Sequence, residues 1–158
     1  MDDDNRSVEQ IAEHASAGDL TIAVAESLTG GELAARLAAG PDAATWFAGG
    51  AVTYTAEVKQ RVLGVPPGPV VSETTARAMA DGVADLFGAD VAVAVTGVGG
   101  PTAQEGEPPG TVWWAVHSGD RTEAGCVHLP GDPREVVAAT IEMSLARLLA
   151  ALRAAAAP

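Results

Sequence analysis

Eight arginines accompany a single lysine, Lys59. A guanidinium keeps its proton at any physiological pH, whereas an ammonium withdrawn from water gives its proton up readily. Arginine supplies every other basic side chain, so Lys59 stands out as a candidate for proton chemistry. Five residues earlier lies Tyr54, the only tyrosine. Five is not a same-face helical interval, but across a strand-to-helix junction two such side chains can converge on one cavity. A lysine desolvated beside a tyrosine and a serine can act as the serine's general base. The alternative is a tyrosine packed at a strand end and a solvated helix lysine.

The serine is found in Glu26-Ser27-Leu28-Thr29-Gly30-Gly31, between the apolar run Thr21-Ile22-Ala23-Val24-Ala25 and a helical pattern at Leu33, Ala34 and Leu37. A hydroxyl on such a strand-loop-helix turn faces outward. Free N–H groups at the helix start can hold an oxyanion or a phosphate. A plain N-cap before the helix accounts for the same residues. A second glycine loop, Thr96-Gly97-Val98-Gly99-Gly100-Pro101, ends another apolar run. Its glycines allow close backbone approach and an anion nest, or simply a flexible turn. Pro101 and the lack of a following helix speak against a dinucleotide fingerprint.

The elements that would position these loops can be read from periodicity and punctuation. Ser7 is expected to N-cap a helix with Val8, Ile11, Ala12 and Ala15 inward, closed by Gly18. Strands are expected at 21–25, 46–55 and 90–96, and a hairpin at 111–117 and 122–129. Helices are expected after Gly31, over 56–63, from Ser72 to Gly88 with Leu86 or Phe87 inward, and from Pro133. This alternation predicts an α/β fold, a three-layer α/β/α sandwich, and the hairpin makes its sheet mixed. Ligands in such sheets collect beyond the carboxyl ends of strands, where the Ser27, Tyr54–Lys59 and Thr96 segments all fall.

Composition narrows the function. A chain of 158 residues is expected to form a single domain, burying roughly 70% of its unfolded surface. Its formal net charge of −12 would repel a phosphate backbone, so no nucleic-acid partner is expected. Cys126 and three histidines show no ligand spacing, which predicts no disulfide and no metal site. No apolar run approaches the ~20 residues of a membrane span. The acidic start Met1-Asp2-Asp3-Asp4-Asn5 does not look like a secretory leader, giving a cytoplasmic expectation.

Taken together, the blocks at 25–31, 52–59, Val71-Ser72-Glu73, 96–101 and Gly110-Thr111-Val112-Trp113 closely resemble the C-terminal domain of the CinA family, in order and over nearly the whole chain. The resemblance implies a nicotinamide-nucleotide amidohydrolase (NMN deamidase, PncC-like), acting without a cofactor on a small nucleotide, and a homo-oligomer. Such enzymes convert nicotinamide mononucleotide and water to nicotinic acid mononucleotide and ammonia in pyridine-nucleotide salvage. It places the family's serine on Ser27, its tyrosine on Tyr54 and its lysine on Lys59. Substrate contacts are expected from Glu26, Thr29, Gly30, Gly31, Thr96, Gly97, Gly99 and Gly100, the oxyanion on the first loop and the phosphate on the second, or the reverse. Leu28 stands where the family commonly has cysteine, Gly99 where it has alanine, and Glu107 where many relatives have lysine. Larger relatives carry a further N-terminal domain. The rival readings are a non-catalytic nucleotide-binding module and a competence or damage-response regulatory domain.

Overall fold

The computed structural model describes residues 2–156; Met1, Pro158 and Ala157 of the alanine-rich tail lie outside them. The elements are α1 (Asp2–Ala17), β1 (Ile22–Glu26), α2 (Glu32–Ala38), a 3₁₀ turn (Ala43–Thr45), β2 (Phe47–Val52), α3 (Ala56–Leu63), α4 (Glu73–Phe87), β3 (Val91–Gly97), β4 (Thr111–Ser118), β5 (Arg121–His128) and α5 (Pro133–Ala156). The strands form one mixed sheet in the order β2-β1-β3-β4-β5. β2, β1 and β3 are parallel, and β4 and β5 return antiparallel. Helices cover both faces, as the α/β/α expectation requires.

Side-chain size alternates along the central strands and builds two unlike layers. Ile22, Val24, Val91, Val93 and Val95 face α1, α2 and α5, packing with Ile11, Leu33, Leu37, Leu145 and Leu148. The intervening Ala23, Ala25, Ala92 and Ala94 face α3 and α4, where Leu63, Met79 and Val83 close the core. Alanine lets a helix approach the sheet closely, and α4 in turn approaches α3. A methyl group on Gly82 of α4 would stand 2.2 Å from the Leu63 carbonyl oxygen. The end of α3, four residues beyond Lys59, therefore rests on the α4 backbone.

Three expectations need correction. Ser7 is not the N-cap of α1, because the helix spans Asp2–Ala17 and runs through it. The second strand is shorter than expected, since the Trp46 N–H closes the 3₁₀ turn on Ala43 and Thr55 already caps α3 through the Val58 N–H. At the end of α4, Leu86 is exposed and Phe87 packs inward, beneath Gly49. Among the described residues no helix is long and apolar enough to cross a membrane.

Candidate active site

With β1 between β2 and β3, the carboxyl ends of three parallel strands lie side by side. The chain leaves β1 for β2 on one side and returns as β3 on the other, the arrangement that opens a crevice in α/β sheets. Ser27 directly follows β1, Thr53 and Tyr54 follow β2, and Thr96 and Gly97 end β3. All but Thr53 border a cavity of about 330 Å³ whose walls include Ser27, Leu28, Tyr54, Lys59, Val70, Thr96, residues 97–100 and Gln104.

At its base the Lys59 Nζ donates to Ser27 Oγ at 3.1 Å, to the Thr53 carbonyl at 2.6 Å and to the Tyr54 carbonyl at 3.3 Å. Lys59 is 1% exposed and Ser27 8%. Helix α3 is capped by Thr55 and stopped by Gly64 in the left-handed region, so its single turn before Lys59 swings the amine back under the end of β2. Burial pushes the Lys59 ammonium below its ordinary range, with the Glu105 carboxylate partly opposing. The two carbonyls fix the amine's direction. When it is neutral, two hydrogens can serve Thr53 and Tyr54 and leave the lone pair aimed at Ser27 Oγ.

The other expected site residues divide. Thr96 lies on the cavity wall, where its hydroxyl donates to the Val70 carbonyl at 2.8 Å and ties the 69–71 loop to β3. Gly97, Gly99 and Gly100 line the cavity. Tyr54 reaches the mouth, but its side chain is 70% exposed and it meets Lys59 through its backbone carbonyl.

Glu26 does not face the cavity. Fully buried, its carboxylate accepts from the N–H groups of Gly31 (3.2 Å), Leu33 (2.9 Å) and Ala34 (3.0 Å). The N-cap of α2 is Gly31, which has no side chain to offer, so Glu26 satisfies the orphan donors of that helix start. The same bonds remove Gly31 as an oxyanion donor, and the Gly30 N–H is spent on the Ser27 carbonyl at 3.1 Å. Thr29 is buried outside the cavity wall, and its hydroxyl and that of Thr53 are buried without a partner among the described residues. The N–H groups of Leu28, Gly99 and Gly100 carry no hydrogen bond to another described residue. Glu107 does not line the cavity either.

Glu105, which the sequence reading passed over, is not a wall of the cavity, but its carboxylate is the charge that acts on Lys59. Glu105-Gly106 is flanked by reciprocal backbone bonds between Gln104 and Glu107; an X-Gly dipeptide at such a two-residue turn was the available signal. Among the described residues no group of three or more histidine, cysteine, aspartate or glutamate side chains converges as a metal cluster would.

Residues 4–152 match the CinA C-terminal domain family. The chain is 38% identical over 139 residues to Protein YdeJ of Escherichia coli K12, covering 84% of this chain and 81% of that one. It is 43% identical over 136 residues to a CinA-like protein of Gemmatimonas aurantiaca, covering 82% of this chain but 32% of that protein. It thus spans about a third of the length of several of the curated relatives it matches. The crystal structure of a competence-damaged protein (CinA) superfamily member from Klebsiella pneumoniae superposes with a TM-score of 0.91 at 35% identity, covering 95% of this chain and 98% of that one. Motif order, fold and match over most of its length agree: the chain belongs to the CinA C-terminal domain family.

Proposed function

We propose that the chain is a serine amidohydrolase acting on a pyridine nucleotide, converting nicotinamide mononucleotide and water to nicotinic acid mononucleotide and ammonia. The observation that carries this reading is the 3.1 Å contact between Ser27 Oγ and the buried amine of the only lysine. Neutral Lys59 takes the Ser27 proton as Oγ attacks the carboxamide carbon. The resulting ammonium then gives that proton to the leaving nitrogen, and ammonia departs from an acyl ester on Ser27. A water molecule, deprotonated by Lys59, attacks the ester and releases the carboxylic acid with Ser27 reprotonated.

Because Gly30 and Gly31 are committed elsewhere, the oxyanion falls to the Leu28 N–H, on the residue after the nucleophile, with Gly99 and Gly100 opposite. The rest of that run, with Thr102 and Gln104, is left for the ribose phosphate. Tyr54 at the mouth offers its ring face to the pyridine. Incubating the purified chain with nicotinamide mononucleotide should release ammonia and the acid in equal amounts. Saturable binding of the nucleotide with no ammonia released would instead make this a non-catalytic nucleotide-binding domain.

A further inference from the structure

Glu105 combines a left-handed backbone, a carboxylate fully engaged with a second loop and a place next to the cavity wall. It is a non-glycine residue at φ 54°, followed by Gly106 at φ 79°, so the turn is of the mirror-image hairpin kind that favours asparagine or glycine at its first position. That strain persists because the side chain is held. Its carboxylate accepts from the Val70 N–H at 2.8 and 3.1 Å and from the Val71 N–H at 2.8 Å. Val70 is thereby gripped from both sides, its N–H by Glu105 and its carbonyl by Thr96. Val70 and Gln104, the residue before Glu105, are both walls of the Ser27 cavity.

We propose that Glu105 is a positioning residue that latches the 104–107 turn onto the 69–71 loop and thereby sets two walls of the Ser27–Lys59 cavity, Val70 and Gln104. The proposal rests on the reading of Ser27 and Lys59 as the catalytic pair. Other charges near Lys59 are already engaged. Glu57 and Arg61 pair in solvent on α3, Glu73 and Arg77 pair on α4, and the buried Glu26 is turned to α2. Tyr54 presents only its carbonyl. Glu105 is the group whose field opposes the effect of burial on the amine, keeping Lys59 able to return a proton to the leaving nitrogen.

Because the chain has one lysine, ε-13C-lysine labelling gives a single side-chain NMR signal, and Lys59 can be titrated directly without any substrate. Glu105→Gln keeps an acceptor oxygen and removes the charge; Glu105→Ala removes both. The Lys59 midpoint should move to lower pH in each folded variant, and the rising limb of kcat/KM should move with it. Glu105→Ala should additionally lose about tenfold in kcat/KM, chiefly through KM, as the cavity wall loosens. An unchanged Lys59 midpoint in Glu105→Gln overturns the electrostatic role, and a wild-type KM in Glu105→Ala overturns the latch. If the wild-type chain releases no ammonia, the amidase reading fails, while the titration still decides whether Glu105 governs Lys59.

Discussion

Lys59 is buried where water cannot solvate an ammonium, yet two carbonyls and a hydroxyl surround its nitrogen. That combination suits an amine that must alternate between charged and neutral forms. Replacement by Arg keeps a charge that cannot be lost near neutral pH, and replacement by Met keeps most of the stem without a charge. Both variants should be nearly inactive if Lys59 is the base, whereas an active Lys59→Arg would reduce its role to electrostatics. The wild-type kcat/KM should rise with pH through a midpoint below the ~10.4 of a free lysine, because the neutral amine is the base and burial depresses its proton affinity. The same depression has a stability sign. Above the folded midpoint and below the unfolded one, the unfolded chain binds more protons, so stability rises with pH across that window. The melting temperature of the wild type relative to Lys59→Met should therefore rise from neutral to alkaline pH. Ser27→Ala should leave the melting temperature near wild type and lower kcat by at least about a thousandfold; retention of most of the rate would end the serine mechanism. Ser27 and Lys59 were legible in the sequence because their types are chemically specific and their spacing straddles element boundaries. Glu26, Gly30 and Gly31, expected as substrate contacts, have their polar groups engaged around the start of α2; a carboxylate beside a glycine loop looks the same in sequence whether it faces a ligand or a helix start.

At the scale of elements, Gly82 sets two opposing effects against each other. Alanine in a helix interior is favoured over glycine by about 1 kcal/mol, so Gly82→Ala would stabilise α4 in isolation. Here the added methyl would meet the Leu63 carbonyl oxygen at 2.2 Å, with the Leu63 carbonyl carbon at 2.9 Å. Neither is the end of a flexible side chain, and forcing backbones apart in a packed layer costs roughly 1–3 kcal/mol or more. The clash should win. Gly82→Ala should lower the melting temperature and also lower kcat, because the end of α3 that must give way lies one turn beyond Lys59; a more stable variant with full activity would show that α3 and α4 slide freely. Each helix and strand could be read from the sequence, since alternation in Ile22–Ala25 and Val91–Val95 and stops such as Gly64 and Gly88 are local signals. The strand order could not. Placing β1 between β2 and β3 depends on which faces the helices cover, and only that order brings Ser27, Thr53 and Thr96 together. The start of α1 was misplaced because a good capping residue, Ser7, lies inside the helix, and a residue type that suits a cap does not exclude a mid-helix place.

The whole molecule carries a net charge of −12, while the proposed substrate is a phosphate monoester. Lys59 is the only Lys or Arg among the residues lining the cavity. Glu105, next to the wall residue Gln104, is engaged with the 69–71 loop. The long-range field therefore works against substrate approach, and backbone N–H groups must supply short-range attraction at close quarters. These two contributions respond differently to salt. Exposed charges are screened over a Debye length of about 10 Å at 0.1 M ionic strength and about 30 Å at 0.01 M, whereas hydrogen bonds inside a cavity are screened far less. Raising ionic strength from about 0.01 to 0.15 M with an inert salt should therefore lower KM for nicotinamide mononucleotide, with kcat nearly unchanged. Nicotinamide riboside, which lacks the phosphate and keeps the pyridinium cation, serves as the control: the anionic molecule attracts it, so for any turnover KM should rise with salt, opposite to the mononucleotide. A KM for the mononucleotide that rises with salt would mean that a cationic surface captures the phosphate. In a chain with eight arginines, that result would send the search for the phosphate site away from the glycine loop and toward those side chains.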